Sequence, residues 1–356
     1  MADFRSFTTA ARQPAVLGQP LVDPAGWQPD DLRDTDARAY HFSDQDKAEL
    51  LEAIDYAQRS AEPLETLERA HFPLKSLARV MEDVRRELLD GRGVVLMRGF
   101  PMNALDRKGI AIGYLGLGTY LGTRVPQNRY GHLLGHVKDL GGDRRDADTR
   151  GYTTGQGMSF HVDSTDFVGL FCLNAAKHGG ESRIASSVTI YNRILAERPD
   201  LIDALTMDFY KTRYGEVNPG ESPYYKGPIF AFADGYFSAV GLSSGFEKAQ
   251  NLPGVPPFTD AQKEAIPVYR RVVEECAIDM AFRPGDIQFL NNYVIVHSRR
   301  DIDDWQEAGR RRHLMRLWLN DTEGRPIPAL RKERRNFGVR MKGVALNAPL
   351  DVTVPA

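Results

Sequence analysis

Cysteine is scarce in this chain of 356 residues, which carries two, Cys172 and Cys276. That number excludes a disulfide-built scaffold. Cys172, inside the run Phe167-Val168-Gly169-Leu170-Phe171-Cys172-Leu173, reads as a small packed hydrophobe. An excess of either charge is missing as well. Lys and Arg number 46 against 48 Asp and Glu, which removes the electrostatic basis for attraction to nucleic acid or an anionic membrane. No apolar run approaches the roughly 20 residues that a membrane-spanning helix needs. Met1-Ala2-Asp3-Phe4-Arg5-Ser6 lacks the basic-then-apolar order of a secretion signal. Internal repeats and low-complexity linkers are absent too. These absences lead to the expectation of a cytoplasmic protein with no affinity for nucleic acid or membrane, with homo-oligomerisation left open.

Periodicity and capping predict helices over about 43–58, with Ser43 as N-cap, and over about 74–89, ending at Gly91. Further helices are predicted at about 105–121, at 191–205 with an interruption near Pro199, and from Thr259 to about Cys276. Thr259 and Gln262 form a capping box at the start of the last. Between them lie short apolar runs that read as strands, among them Val94-Val95-Leu96-Met97 and Phe167 to Leu173. The first 40 or so residues, punctuated by Pro14, Pro20, Pro24 and Pro29, read as an irregular surface arm.

Within this frame stands Phe160-His161-Val162-Asp163. Side chains alternate along a strand, so residues two apart share a face, and a strand carrying His161 and Asp163 offers an imidazole and a carboxylate to one point. A second histidine, His297, ends the apolar run that follows the turn Arg283-Pro284-Gly285-Asp286. Two imidazoles and one carboxylate occupy one face of an octahedral ion and leave three positions open, which suits non-haem Fe(II) and O2 chemistry. Further on, Arg312, Leu314 and Arg316 alternate onto one face of a strand-like tail that also contains Leu317-Trp318-Leu319. An arginine beside a buried strand needs an anionic partner, and a guanidinium matches a carboxylate bidentately.

The segments Val94 to Phe100, Phe160 to Asp163, Gly179-Gly180-Glu181-Ser182, Pro284-Gly285-Asp286 with His297, and Arg311 to Arg316 run in one order over residues 90–320. In that order they resemble the taurine dioxygenase / 2,4-dichlorophenoxyacetate dioxygenase family of Fe(II)- and 2-oxoglutarate-dependent oxygenases, within the clavaminate synthase-like group. The resemblance implies an α+β chain built on a double-stranded β-helix, or jelly roll, framed by helices. It implies a single dioxygenase domain over 1–356: an N-terminal arm and helices to 90, a catalytic jelly roll over 90–320 with a lid-like insertion at about 210–258, and a C-terminal extension over 321–356. His161, Asp163 and His297 become the iron ligands. Arg312 and Ser182 become the receptor for the distal carboxylate of 2-oxoglutarate, with Arg311 as the neighbouring alternative. Arg316 becomes a second active-site arginine toward an acidic substrate. The cofactors are Fe(II), 2-oxoglutarate as cosubstrate and O2, and the expected reaction is hydroxylation of an unactivated C–H bond with release of succinate and CO2.

Other polar residues are candidates for the pocket. Gln127 and Asn128, with His132 and His136, are expected at the substrate entrance or surface. The i, i+4 spacing of the two histidines suggests a metal-binding helix, but Gly131 and Gly135 argue against one. Asn292 is expected to orient His297 or touch substrate or, equally, to satisfy backbone as a buried strand amide, and Arg213, with Tyr224 and Tyr225, to line the lid. His41, His71, His178 and His313 read as structural. Two competing classes stay open on the sequence alone. A zinc hydrolase could use the same triad to activate water, and a jelly roll could bind a ligand without catalysis. The hydrolase gives Arg312 no role, and the binding protein gives no reason for the three ligands and Arg312 to occur together.

Overall fold

The computed structural model describes residues 11–143, 145–146, 148–321, 326 and 338–353. Among these, a seven-stranded sheet runs in the order Tyr40–His41, Val94–Arg98, Ile287–Asn291, Phe167–Asn174, His313–Asn320, Thr123–Arg124, and Leu134–Val137 also pairs with His313–Asn320. A four-stranded sheet has the order Ile278–Met280, Ser182–Ser186, Ile295–Arg299, Met158–His161. Within the two sheets the pairing is antiparallel except for Tyr40–His41 on Val94–Arg98. The two sheets close on one another as the α+β jelly roll expected.

Strand alternation explains the layers. Val94 and Leu96 point between the sheets, into a core shared with Ile184, Ile295, Val296 and Trp318. Val95 and Met97 point the other way, into a second core with Met315, Leu317 and Leu319 and with helix residues Leu50, Ile54, Met81, Val84 and Tyr114. A strand buried on both faces reads as a continuous apolar run, as Val94 to Met97 does, and the buried Arg98 that ends it is paired with Asp286. Each such fully buried aliphatic or aromatic side chain contributes about 1.5–3 kcal/mol.

The framing helices obey local rules. In Asp44–Ser60 the Ser43 side chain accepts from Asp46 N–H and Asp46 reciprocates at the cap. Asp260–Glu275 begins on the Thr259/Gln262 box. Ser76–Asp90 has no cap of its own; the Glu49 carboxylate from the preceding helix accepts from the N–H groups of Lys75, Ser76 and Leu77. Arg107–Gly118 starts on Asp106. Ser187–Glu197 starts earlier than periodicity suggests because Ser186 Oγ accepts from Thr189 N–H, and the interruption at Pro199 is a 3-10 turn, Pro199–Leu201, before Ile202–Thr206.

Three regions flank or interrupt the jelly roll, and the first differs from expectation. The N-terminal arm is not confined to the surface: Leu21, Ala25, Trp27 and Leu32 are buried, and Trp27 Nε1 donates to the Arg92 carbonyl. The insertion at about 210–258 consists of the hairpins Phe209–Thr212/Tyr224–Gly227 and Phe230–Ala233/Tyr236–Ala239 followed by the helix Ser244–Ala249. Residues 338–353 return to the jelly roll, with Val339 N–H on the Pro126 carbonyl, Leu133 N–H on that of Asn347, and Asp351 paired with Lys138. The remainder of the stretch expected as an extension lies outside the described residues, apart from 321 and 326. Among the described residues no helix is long and apolar enough to cross a membrane.

Candidate active site

The strand Met158–His161 pairs with Ile295–Arg299 in a register that sets His161 directly opposite His297. Their ring centroids lie 4.3 Å apart. His161 Nδ1 faces the Ser159 carbonyl at 2.9 Å, which makes it the protonated nitrogen and turns a bare Nε2 inward. Asp163 is not on the strand, which stops at His161. The chain leaves the sheet at Val162, and Asn292 Oδ1 accepts from Asp163 N–H at 3.1 Å in place of a ladder partner. Asn292 Nδ2 in turn donates to the Thr165 carbonyl. This clamp brings Asp163 Oδ2 to 3.7 Å from His297 Nε2. The ligand atoms of His161, Asp163 and His297 all lie within 4.8 Å of one another.

Electrostatics fix two of these groups, His161 and Asp163, in the protonation states that bind a cation. Burial, reinforced by His297, pushes His161 down to about 3. Burial alone would raise the Asp163 carboxyl, but Arg316 and the facing imidazoles hold it well below the usual carboxylate range. Asp163 Oδ2 is buried with no hydrogen-bond partner. A neutral His161 imidazole, a facing His297 ring, an ionised carboxylate and an unsatisfied inward oxygen fit a divalent metal that takes N and O ligands.

Two cavities meet here, sharing Tyr152, Met158, His161 and Arg316. The inner one, about 400 Å³, lies between the sheets and is lined by Ser182, His297, Ser298, Arg299, Arg312 and Leu314 among others. Arg312 sits just before His313–Asn320 and is 4 % exposed. Its Nε donates to the Gly180 carbonyl at 3.1 Å, while Nη1 is buried without a hydrogen-bond partner. Burial pushes this guanidinium down to about 10. Gly180 is left-handed at φ 69°, and a Cβ on it would lie 2.9 Å from Arg312 Cδ, so glycine is required for the turn and for the arginine beside it. Ser182 Oγ lies 3.1 Å from Gln288 Oε1 on the same cavity. Arg311 is exposed and donates to the Trp305 carbonyl.

The outer cavity, about 800 Å³, opens over the triad. Arg316 stands at the junction, over the rings of Tyr152 at 4.5 Å and Trp318 at 5.0 Å, with Nη1 3.4 Å from Asp163 Oδ1. The folded insertion supplies one wall through Lys211, Thr212, Arg213, Tyr214, Glu216, Tyr225, Ser243 and Ser244. Arg213 donates to Glu221 at 2.8 Å, and Glu216 receives Arg150.

Four residues expected at the substrate or its entrance are elsewhere. Gln127 is fully buried behind Arg316, because its amide is taken up by the Arg316 and Leu133 carbonyls and by Arg316 Nε. Asn128 is consumed by its own turn, accepting from the N–H groups of Tyr130 and His132. Asn292 faces the Asp163 backbone. His136 is buried on the strand Leu134–Val137, with Nδ1 2.8 Å from His313 Nε2 and Nε2 2.8 Å from the Pro349 carbonyl. With Asp351 this pair makes a second grouping of potential ligand atoms, but Asp351 Oδ1 is held by the Lys138 ammonium.

Trp318 and Arg299 also line the cavities, and strand alternation could have found them: Trp318 continues the alternation of Arg312, Leu314 and Arg316, and Arg299 that of His297. Lys211, Glu216, Ser243 and Val339 carry no local signal; they reach the cavity through tertiary packing.

A jelly roll with two histidines and a carboxylate converging beside a buried arginine defines a non-haem iron oxygenase site. The model of the family described as "Taurine catabolism dioxygenase TauD, TfdA family" matches residues 60–318, and the chain belongs to that family of Fe(II)- and 2-oxoglutarate-dependent dioxygenases. It is 30% identical over 320 residues to the FR-33289 synthase of Streptomyces rubellomurinus (strain ATCC 31215), covering 88% of this chain and 94% of the relative. It is 27% identical over 320 residues to the taurine hydroxylase-like protein SAT17 of Stachybotrys chartarum (strain CBS 109288 / IBT 7711), covering 86% and 81%. Among solved structures, an asparagine oxygenase in complex with Fe(II), 2S,3S-3-hydroxyasparagine and succinate superposes with a TM-score of 0.63 at 18% identity, over 79% of this chain and 93% of that one. At that identity the likeness speaks for the fold.

Proposed function

We propose that the chain hydroxylates an unactivated C–H bond of a small acidic substrate, with His161, Asp163 and His297 holding Fe(II) and with Arg312 and Ser182 receiving the distal carboxylate of 2-oxoglutarate. The observation that carries this reading is the Arg312 guanidinium. It is buried, no carboxylate pairs with it among the described residues, and it opens on a cavity that reaches His161 and His297. Such a charge needs an anionic ligand, and a zinc hydrolase would leave it without one.

Bound Fe(II) and 2-oxoglutarate supply O2-driven C–H hydroxylation, with succinate and CO2 released. The protein's own part is positional. The Ser159 carbonyl fixes the His161 tautomer, Asn292 fixes the Asp163 backbone, and Arg316 keeps Asp163 ionised. Burial between the sheets excludes water from the inner cavity. Acidity of the substrate is supported by the outer wall, where Arg150, Lys211, Arg213 and Arg316 face two acids, Asp163 and Glu216. Cytoplasmic residence, where Fe(II) and 2-oxoglutarate are supplied, and a small molecule as the partner, with neither nucleic acid nor membrane, belong to the same reading.

Anaerobic addition of Fe(II) to the protein with 2-oxoglutarate tests it, since the chelate gives a visible charge-transfer band. A screen of carboxylates, sulfonates, phosphonates and amino acids by succinate release then identifies the substrate. Absence of the band would refute the cosubstrate, and stimulation by neutral molecules alone would refute the acidity.

A further inference from the structure

We infer that Gln288 is an internal competitor of the cosubstrate. In the empty site its amide carbonyl takes the Ser182 proton that the distal carboxylate of 2-oxoglutarate would take, and this holds the affinity for 2-oxoglutarate down. The inference rests on the proposed function and adds a residue that sets how strongly the cosubstrate binds.

Gln288 occupies a place where the strand pattern calls for an aliphatic side chain. It is wholly buried on Ile287–Asn291, and its partners across the sheet are Leu96 and Leu170. Leu290, two residues on and therefore on the same face, lies with Leu96 in the inter-sheet core. An amide brings donors and acceptors into this apolar layer, and each needs a partner.

Both of its side-chain contacts cross to the opposite sheet. Nε2 donates to Met280 Sδ at 3.0 Å, and Oε1 lies 3.1 Å from Ser182 Oγ. Met280 and Ser182 are themselves paired on adjacent strands. A thioether sulfur only accepts, and weakly, so the nitrogen has to face it and the carbonyl oxygen has to face the hydroxyl. Ser182 is therefore the donor to Gln288, and a serine has a single proton to give.

Ser182 is 3 % exposed and lines the inner cavity with Arg312. An ionised carboxylate only accepts, so one that bonds to Ser182 takes the proton that Gln288 holds. The Gln288 carbonyl is then left without a donor. Turning the amide over gives Nε2 the hydroxyl oxygen to bond, but it points Oε1 at a sulfur that carries no hydrogen. Either way a buried acceptor loses its partner as the site fills, and that cost opposes binding. Arg312 is different, since its Nη1 is buried without a hydrogen-bond partner and gives up nothing to a ligand.

The test is an anaerobic titration of 2-oxoglutarate into the Fe(II)-loaded full chain, followed by the charge-transfer band. Gln288→Met keeps the length of the side chain and removes the competing oxygen. It should bind 2-oxoglutarate about five- to thirtyfold more tightly than wild type, the effect of no longer stranding a buried acceptor. That gain should shrink to less than twofold in the Ser182→Ala background. It should shrink likewise for 2-oxobutyrate, which has the same keto acid end and no distal carboxylate. In the metal-free chain, Gln288→Met and Ser182→Ala should couple in urea denaturation, with the double variant less destabilised than the sum of the single ones. A gain of less than fivefold in Gln288→Met, or weaker binding, would overturn the inference. So would a gain above twofold that persists in Ser182→Ala or with 2-oxobutyrate, because it would come from packing. Additive stabilities would remove the bond in the empty site and the inference with it. Gln288→Leu carries the same test if the methionine variant does not fold. A wild type that gives no band sinks the oxygenase reading itself, whereas a wild-type band with equal affinity in Gln288→Met sinks the competitor alone.

Discussion

Gln127 and Arg316 are joined twice: the amide Nε2 donates to the Arg316 carbonyl at 2.8 Å, and Oε1 accepts from Arg316 Nε at 2.8 Å. One side chain thus holds both the main chain and the guanidinium of the residue at the junction of the two cavities. With Nε fixed, Nη1 is the nitrogen that reaches Asp163. Gln127→Leu should leave Arg316 Nε and its carbonyl unsatisfied in a fully buried place, at a cost of about 1–3 kcal/mol for a stranded group. Urea denaturation should register that loss. Fe(II) binding should survive while the fraction of 2-oxoglutarate turnover coupled to substrate oxidation falls. Wild-type stability and coupling in this variant would show that Arg316 is held by its ring contacts instead.

The triad makes a sharper demand. His161→Ala and His297→Ala each remove one of three protein ligands in the proposed site, and both should abolish tight Fe(II) binding and succinate formation. Asn292→Ala should act more mildly, because it frees the Asp163 backbone without deleting a donor. Lowered iron affinity with residual turnover is the expected pattern, in line with the roughly 10–100-fold losses typical of residues that orient metal ligands. Full succinate production by either histidine variant would remove the assignment.

How much of the fold and site is legible in the sequence depends on the range of the interaction. The His161/His297 pairing and the Arg312, Leu314, Arg316 face follow from strand alternation, a local rule that survives into the fold. The position of Asp163 agrees with the His-x-Asp pattern for a different reason: the strand has ended, and Asn292, distant in sequence, supplies the missing partner. Gln127 is legible as important and not as to its role, since its fate is decided by an Arg316 carbonyl far along the chain. The insertion reads as lid-like from its glycines and prolines, and that composition does not reveal that Phe230, Phe237 and Phe246 are buried in the inter-sheet core. Turn residues mark where a chain bends; packing decides whether the pieces between the bends pair.

Arg312 and Arg311 offer a matched comparison one residue apart. Arg312→Ala should raise the 2-oxoglutarate requirement by about thirty- to several-thousand-fold, the range for removing one partner of a buried charge pair at about 2–5 kcal/mol. Iron binding should be retained. Arg311→Ala, at an exposed position, should change that requirement by less than about fivefold, by the modest standard of surface charges, about 0–1 kcal/mol. Initial-rate measurements against 2-oxoglutarate at saturating primary substrate separate the two, and the reverse pattern would move the anchor to Arg311.

The His136–His313 pair predicts a pH dependence of stability away from the active site. A carbonyl can only accept, so the Pro349 oxygen assigns the His136 proton to Nε2, and Nδ1 accepts from His313 Nε2–H. Burial pushes His136 down to about 4 and lowers His313 in the same direction, where the His136 ring adds to the effect. An unfolded histidine titrates near 6.5, so between pH 6.5 and 4 the unfolded chain binds more protons than the folded one. The pair's contribution is therefore fully present above pH 6.5 and is lost as pH falls through that window. His136→Leu should be less stable than wild type at pH 7.5, since it strands His313 Nε2–H and the Pro349 carbonyl. Its urea midpoint should nevertheless fall less steeply on acidification to pH 4.5, because the acid-sensitive ring is gone. Parallel slopes for the two proteins across that range would show that the acid response comes from other groups.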